Sequence, residues 1–120
     1  MGQPHTVAVS QQAVGLLSQL RDKSSGRPQV FPNVRDPKRV MSPTTLNRWL
    51  ERAHYKPQFS AHGFRATAST ILNEMGYRPD VIERQLAHGE RNKVRASYNH
   101  ASYMPERRKM MQEWADFLDA

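Results

Sequence analysis

The stretch His62–Tyr98, HGFRATASTILNEMGYRPDVIERQLAHGERNKVRASY, decides the reading of this 120-residue chain. Phe64, Ala68, Ile71, Leu72 and Met75 recur at three- and four-residue spacing, the apolar stripe of an amphipathic helix. Ser60 stands where an N-cap belongs, and Gly76 where a helix end turns left-handed. Pro79-Asp80 opens a second helix with Val81, Ile82 and Leu86 inward, ending at His88 before Gly89. A short helix over residues 92–99 is then expected to carry Tyr98. His62 and Arg65 are three apart and off the apolar stripe, so they share one face of their helix. His88 closes the next helix, and Tyr98 follows it by ten residues.

Outward from this stretch the pattern stays helical. On the N-terminal side, His5-Thr6-Val7-Ala8-Val9-Ser10 reads as a short strand that begins abruptly, behind a Met1–Pro4 start that looks imposed or linker-like. Ser10 can cap a helix carrying Ala13, Val14, Leu16, Leu17 and Leu20. Residues 26–43 are loop-like, with four prolines, one short apolar run at Val30-Phe31, and basic clusters at Arg35 and Lys38-Arg39. Ser42-Pro43 predicts a helix running to about His54 and burying Leu46, Trp49 and Leu50. On the C-terminal side, Pro105 starts a last helix with Met110, Met111, Trp114, Phe117 and Leu118 on one side.

Composition allows one domain with a modest core. The chain has no cysteine, so no disulfide framework or thiolate metal site forms, which suits a reducing cytoplasm. No apolar run approaches the ~18 residues of a membrane span. Net charge is +7, and residues 1–60 carry most of it, with 9 basic against 3 acidic side chains. A basic excess favours a polyanionic partner through counterion release, although a solvated surface carries the same charge. Thirteen of the 18 cations are Arg, whose planar fork suits phosphate.

HxxR alone is weak. With five His and 13 Arg, chance matches are common, and His88–Arg91 is a second one. The order carries the signal: HxxR on a helix, then an apolar helix ending in Leu86-Ala87-His88, then Tyr98. That order resembles the second half of the active site of the tyrosine recombinases, the phage-integrase family. The wording HGFRATAST, IERQLAH, ERNKVRASYNHA and ERRKMMQEWADFLD is similar to satellite-prophage and genomic-island integrases. The resemblance is clear over about residues 60–119 and traceable from His5 to Tyr55.

The resemblance implies a mainly α fold, the helical C-terminal part of a catalytic domain with a short N-terminal strand. It implies one truncated domain over residues 1–120. Tyr98 would be the nucleophile on a DNA phosphodiester. Its phenol, with pKa about 10, is only ~0.1% ionised at neutral pH and needs help to lose its proton. Arg65 would stabilise the extra charge of the phosphorane-like state, where losing one arginine can cost about 10³–10⁵ in rate. His88 would donate a hydrogen bond to the scissile phosphate, and His62 would orient groups or move protons. Against these stand the plainer alternatives of a surface or ion-paired arginine and satisfied structural histidines.

Tyr103 is the rival nucleophile; Tyr55 and Tyr77 read as helix-end packing. No cofactor is implied, and no metal, because His62, His88 and His100 lack ligand spacing. The implied partner is double-stranded DNA at attachment sites, bound by a homotetramer of the full-length enzyme, without a membrane. The family's upstream catalytic arginine and hairpin lysine have no match in the chain, so it is expected to be inactive alone. The last helix packs in cis or passes to a neighbouring protomer. A non-catalytic DNA-binding or regulatory module is the alternative from another class, and helix-turn-helix its simplest form, but neither accounts for the Tyr98 spacing. A type IB topoisomerase shares the chemistry but not the wording.

Overall fold

Helices make up nearly all the regular structure. The computed structural model describes residues 4–24, 26–55, 59–87 and 101–120. They form α1 (Gln11–Lys23), α2 (Thr45–Arg52), α3 (Ala61–Glu74), α4 (Pro79–Gln85) and α5 (Met104–Asp119), the mainly α class expected. Two compact units divide the chain: Met1–Gln11 with Thr67–Ala120, and Gln12–Ala66. None of the described helices is long and apolar enough to cross a membrane.

The first unit holds the core. Leu72 of α3, Val81 and Ile82 of α4, and Met110 of α5 are fully buried, with Tyr77, Leu86, Tyr103, Met111 and Trp114 packed around them. Each such side chain contributes about 1.5–3 kcal/mol of burial. Gly76 makes the turn from α3 to α4 possible. At φ +93° it lets its own N–H bond Asn73 O at 3.0 Å, while Tyr77 N–H bonds Leu72 O at 3.1 Å. These are the paired hydrogen bonds of a left-handed C-terminal cap. Arg78 is then extended, and Pro79 sits in the first turn of α4.

The expected strand at residues 5–10 is corrected. This run forms no strand among the described residues. Its backbone is bonded by side chains instead: Gln85 Nε2 donates to Ala8 O at 2.8 Å, and Ala8 N–H donates to Gln85 Oε1 at 3.2 Å. A primary amide offers the same donor and acceptor as a backbone rung, so one side chain satisfies both polar groups of Ala8. His5 Nε2 donates to Gln85 O at 3.1 Å, and Gln11 N–H to Gln112 Oε1 at 2.9 Å.

The second unit has no buried side chain among its described residues, which overturns two packing expectations. Leu46 and Trp49 are 43% and 48% exposed rather than buried, because no core forms here for them to enter. The helix expected from Ser42-Pro43 also starts later. Ser42 first closes a turn, accepting from Thr45 N–H through its carbonyl at 3.1 Å and from Thr44 N–H through Oγ at 3.4 Å. α2 stops at Arg52 because His54 turns left-handed at φ +64°, with Tyr55 N–H bonded to Leu50 O at 2.9 Å. A histidine here fills the place glycine holds in α3's exit.

Between α1 and α2 the loop folds back on itself. Pro32 and Val40 form an isolated antiparallel bridge, flanked by Asn33 N–H to Arg39 O at 2.9 Å and Met41 N–H to Phe31 O at 3.1 Å. Asn33 Oδ1 accepts from Arg35 N–H at 2.9 Å and Asp36 N–H at 3.2 Å, the side-chain turn that asparagine favours. Asp36 Oδ1 accepts from Lys38 N–H at 3.1 Å. The tip so built presents Arg35, Lys38 and Arg39 to solvent.

Candidate active site

His62 and Arg65 are the second and fifth residues of α3, both exposed, at the end of the helix where backbone N–H groups lack helical acceptors. No acidic residue lies in that first turn. An anion approaching it meets the positive helix end, with the exposed Arg65 one turn further along the same helix. The helix start is held from α2: Ala61 N–H donates to Asn47 Oδ1 at 2.8 Å. Phe59 closes over it, its ring meeting Phe64 edge-on at 4.8 Å and 82°. Gly63, between the two candidate residues, is what lets Phe59 approach. Of the expected apolar stripe only Leu72 is buried; Ala68 and Ile71 are half-buried, and Phe64 and Met75 stay exposed, Phe64 touching Phe59 edge-on.

His88 and Tyr98 lie outside the described residues. Their flanks are described. Ala87, just before His88, takes a left-handed φ of +58°, which for a residue with a Cβ costs about 1–2 kcal/mol. Tyr103, the rival nucleophile, is half-buried. It sits against the core at the N-cap of α5 with φ +52°, and Arg78 lies 5.1 Å over its ring. Arg78 also pairs with Glu106, donating through Nε at 3.1 Å and through Nη2, and this bond and charge raise its pKa. Tyr77 donates its hydroxyl to Glu113 and packs against the core just after the left-handed stop at Gly76, as expected; Tyr55 also follows a left-handed stop but is 59% exposed instead of packed.

Two residues escaped the sequence reading. Gln85 and Arg107 are 5% and 2% exposed. Arg107 donates through Nε to Gln85 Oε1 at 2.9 Å, through Nη1 to Ser102 O at 3.1 Å, and through Nη2 to Thr6 O. Burial, and then the charge of Arg84, lower the pKa of its guanidinium. The signal was positional: Arg107 stands three residues before Met110 and eight before Ala115, on the inward face of α5. Gln85 likewise follows Val81 and Ile82 at helical spacing.

Among the described residues, the second unit presents an exposed HxxR pair at a helix start, and the first unit contains a buried amide–arginine link. The chain matches the model of the phage integrase family over residues 1–104, and it belongs to that family. It is 43% identical to prophage integrase IntA of Escherichia coli K12 over 120 residues, which cover the whole chain and 29% of that protein. It is 46% identical to the integrase of Enterobacteria phage P4 over 123 residues, covering 99% of the chain and 28% of the relative. To the integrase of Shigella phage Sf6 it is 40% identical over 116 residues, 96% of the chain and 30% of the relative. The chain thus spans less than a third of the length of these curated relatives. No solved structure matches it.

Proposed function

We propose that these 120 residues supply the later part of the active site of a site-specific DNA recombinase that integrates or excises a mobile element. The phenolic oxygen of Tyr98 attacks the scissile phosphorus and loses its proton. The 5′ oxygen leaves as a hydroxyl after taking a proton, and the 3′ phosphate remains on the tyrosine. A 5′ hydroxyl from another strand reverses the step, so no phosphodiester bond energy is lost and no cofactor is consumed. Arg65 neutralises charge on the non-bridging oxygens, His88 donates a hydrogen bond to them, and His62 orients groups or moves protons. The further arginine and the lysine general acid that the resemblance implies come from outside these residues, so the 120 residues alone do not cleave efficiently. The full-length enzyme acts as a homotetramer on duplex attachment sites, at the nucleoid in the bacterial cytoplasm.

The observation that carries this reading is the exposed His62–Arg65 pair at the positive end of α3, within a chain of the integrase family. In a protein of the relatives' length containing these residues, Arg65→Ala should cut the rate of strand cleavage about 10³-fold or more while duplex binding persists. Unchanged cleavage would remove Arg65 from the site.

A second reading, a DNA-binding or regulatory module, is favoured by the basic turn at Arg35, Lys38 and Arg39, which is built independently of the catalytic residues. Under it Arg65→Ala lowers affinity and salt dependence, and no covalent chemistry exists to lose.

A further inference from the structure

Arg107 is a buried cation whose three bonded acceptors among the described residues are all oxygens of neutral groups: the Gln85 side chain and the backbone carbonyls of Ser102 and Thr6. An apolar side chain of similar volume fills a core position without the desolvation penalty of a charge, so such an arginine gives stability no evident reason to keep it. What it holds supplies one. Gln85 lies three residues before His88, and Ser102 lies four residues after Tyr98. One guanidinium therefore ties together both flanks of the stretch that carries two of the candidate site residues. The third bond fastens this junction to the N-terminal run, where Gln85 also holds Ala8 through both of its amide atoms.

A second observation falls at the same place. Between Gln85 and His88 the chain leaves α4 through Ala87 in a left-handed conformation, with Ala87 N–H bonded to Arg84 O at 3.3 Å. A strained residue persists where its surroundings over-determine it. Gln85 is the anchored residue two positions upstream of that exit.

We propose that Arg107 is a positioning residue for strand cleavage: by bonding Gln85 and Ser102 together it sets the span from which His88 and Tyr98 are presented. This rests on Tyr98 being the nucleophile. The guanidinium touches no reacting atom in the scheme; it acts through the two ends of the segment. A misplacement of about 1 Å at a reacting group can cost about 10²-fold in rate, so a link that fixes both flanks has a large effect on cleavage and little on DNA binding.

The test uses a protein of the relatives' length containing these residues. The probe is a nicked duplex carrying the junction sequence that flanks the encoding element. Arg107→Met, Arg107→Lys and Met110→Ala are compared by single-turnover adduct rate at saturating DNA, by duplex Kd and by Tm. Arg107→Met is expected to slow the adduct about 10²-fold with Kd within about twofold, and Arg107→Lys to recover part of the rate. Met110→Ala removes a neighbouring core side chain and is the stability control; it should lower Tm at least as far as Arg107→Met does and leave the rate within about threefold. Equal slowing in Met110→Ala for the same loss of Tm, or an unchanged rate in Arg107→Met, overturns the proposal. Should Arg107→Met fail to fold, Gln85→Leu carries the same prediction. An adduct that survives Tyr98→Phe in the otherwise native protein overturns the nucleophile assignment instead, and this inference with it.

Discussion

A Cβ added to Gly63 would stand 2.8 Å from Cε2 of Phe59, closer than carbon atoms pack. Glycine at this point of the HGFR run therefore has a steric reason: it admits the ring that closes over the start of α3. Gly63→Ala gains about 0.5–1 kcal/mol of helix propensity and loses up to about 0.5–1.5 kcal/mol of the Phe59–Phe64 edge contact. The net change in unfolding free energy should be small. In a Phe59→Ala background the clash is gone, and the same substitution should stabilise by about 0.5–1 kcal/mol. Denaturant titration of the four proteins in this cycle checks it; an equal effect in both backgrounds would contradict the contact.

Ala87 and Gly76 make an opposed pair. Both are left-handed, at φ +58° and +93°, but only one lacks a Cβ. Ala87→Gly should stabilise by up to about 1 kcal/mol, and Gly76→Ala should destabilise by about 1–2 kcal/mol. Midpoints of chemical denaturation read both directly. The same Ala87→Gly change loosens the residue before His88, so any gain in stability should come with slower cleavage.

Much of the fold was legible because it rests on local rules. The periods of α1, α3 and α5, the Pro79 start of α4 and the glycine stop at Gly76 are each set within a few residues. What was not legible depends on distant partners. Residues 5–10 carry strand composition, yet the rung they would form is supplied by the amide of Gln85. His54 and Ala87 end helices in conformations that favour glycine, which no composition rule flags. Leu46 and Trp49 have a buried period in a unit that gathers no core. Within the site, His62 and Arg65 stand on one helix as their spacing implied, and His88 and Tyr98 fall outside the described residues. Arg107 and Gln85 were missed because charged and amide side chains are read as exposed by default, although their phase relative to Met110 and Val81 pointed inward.

Tyr103 offers a direct contrast with Tyr98. Its ring fills a place against the core under Arg78, so losing the ring costs more than losing the hydroxyl. Tyr103→Phe should leave adduct formation intact and change stability by less than about 1 kcal/mol, whereas Tyr103→Ala should destabilise by about 2–4 kcal/mol. A melt and an adduct gel on the two variants separate ring from hydroxyl.

The basic turn makes a prediction about salt. Replacing Arg35, Lys38 and Arg39 with Gln removes three cations from a tip held by backbone bonds that the substitutions keep. If duplex DNA is the partner and the tip rides on it, the slope of log affinity against log salt should fall by up to about 0.9 per cation. An unchanged slope would leave the turn as solvated surface.

The central claim is that Tyr98 becomes joined to DNA. The most direct measurement is to trap the adduct on the nicked junction duplex with a protein of the relatives' length, digest it, and locate the modified residue by peptide fragmentation. The account predicts a 3′-phosphonucleotide on Tyr98, absent from the Tyr98→Phe protein even though that protein still binds the duplex. A modification on Tyr103, or an adduct undiminished by Tyr98→Phe, would contradict it.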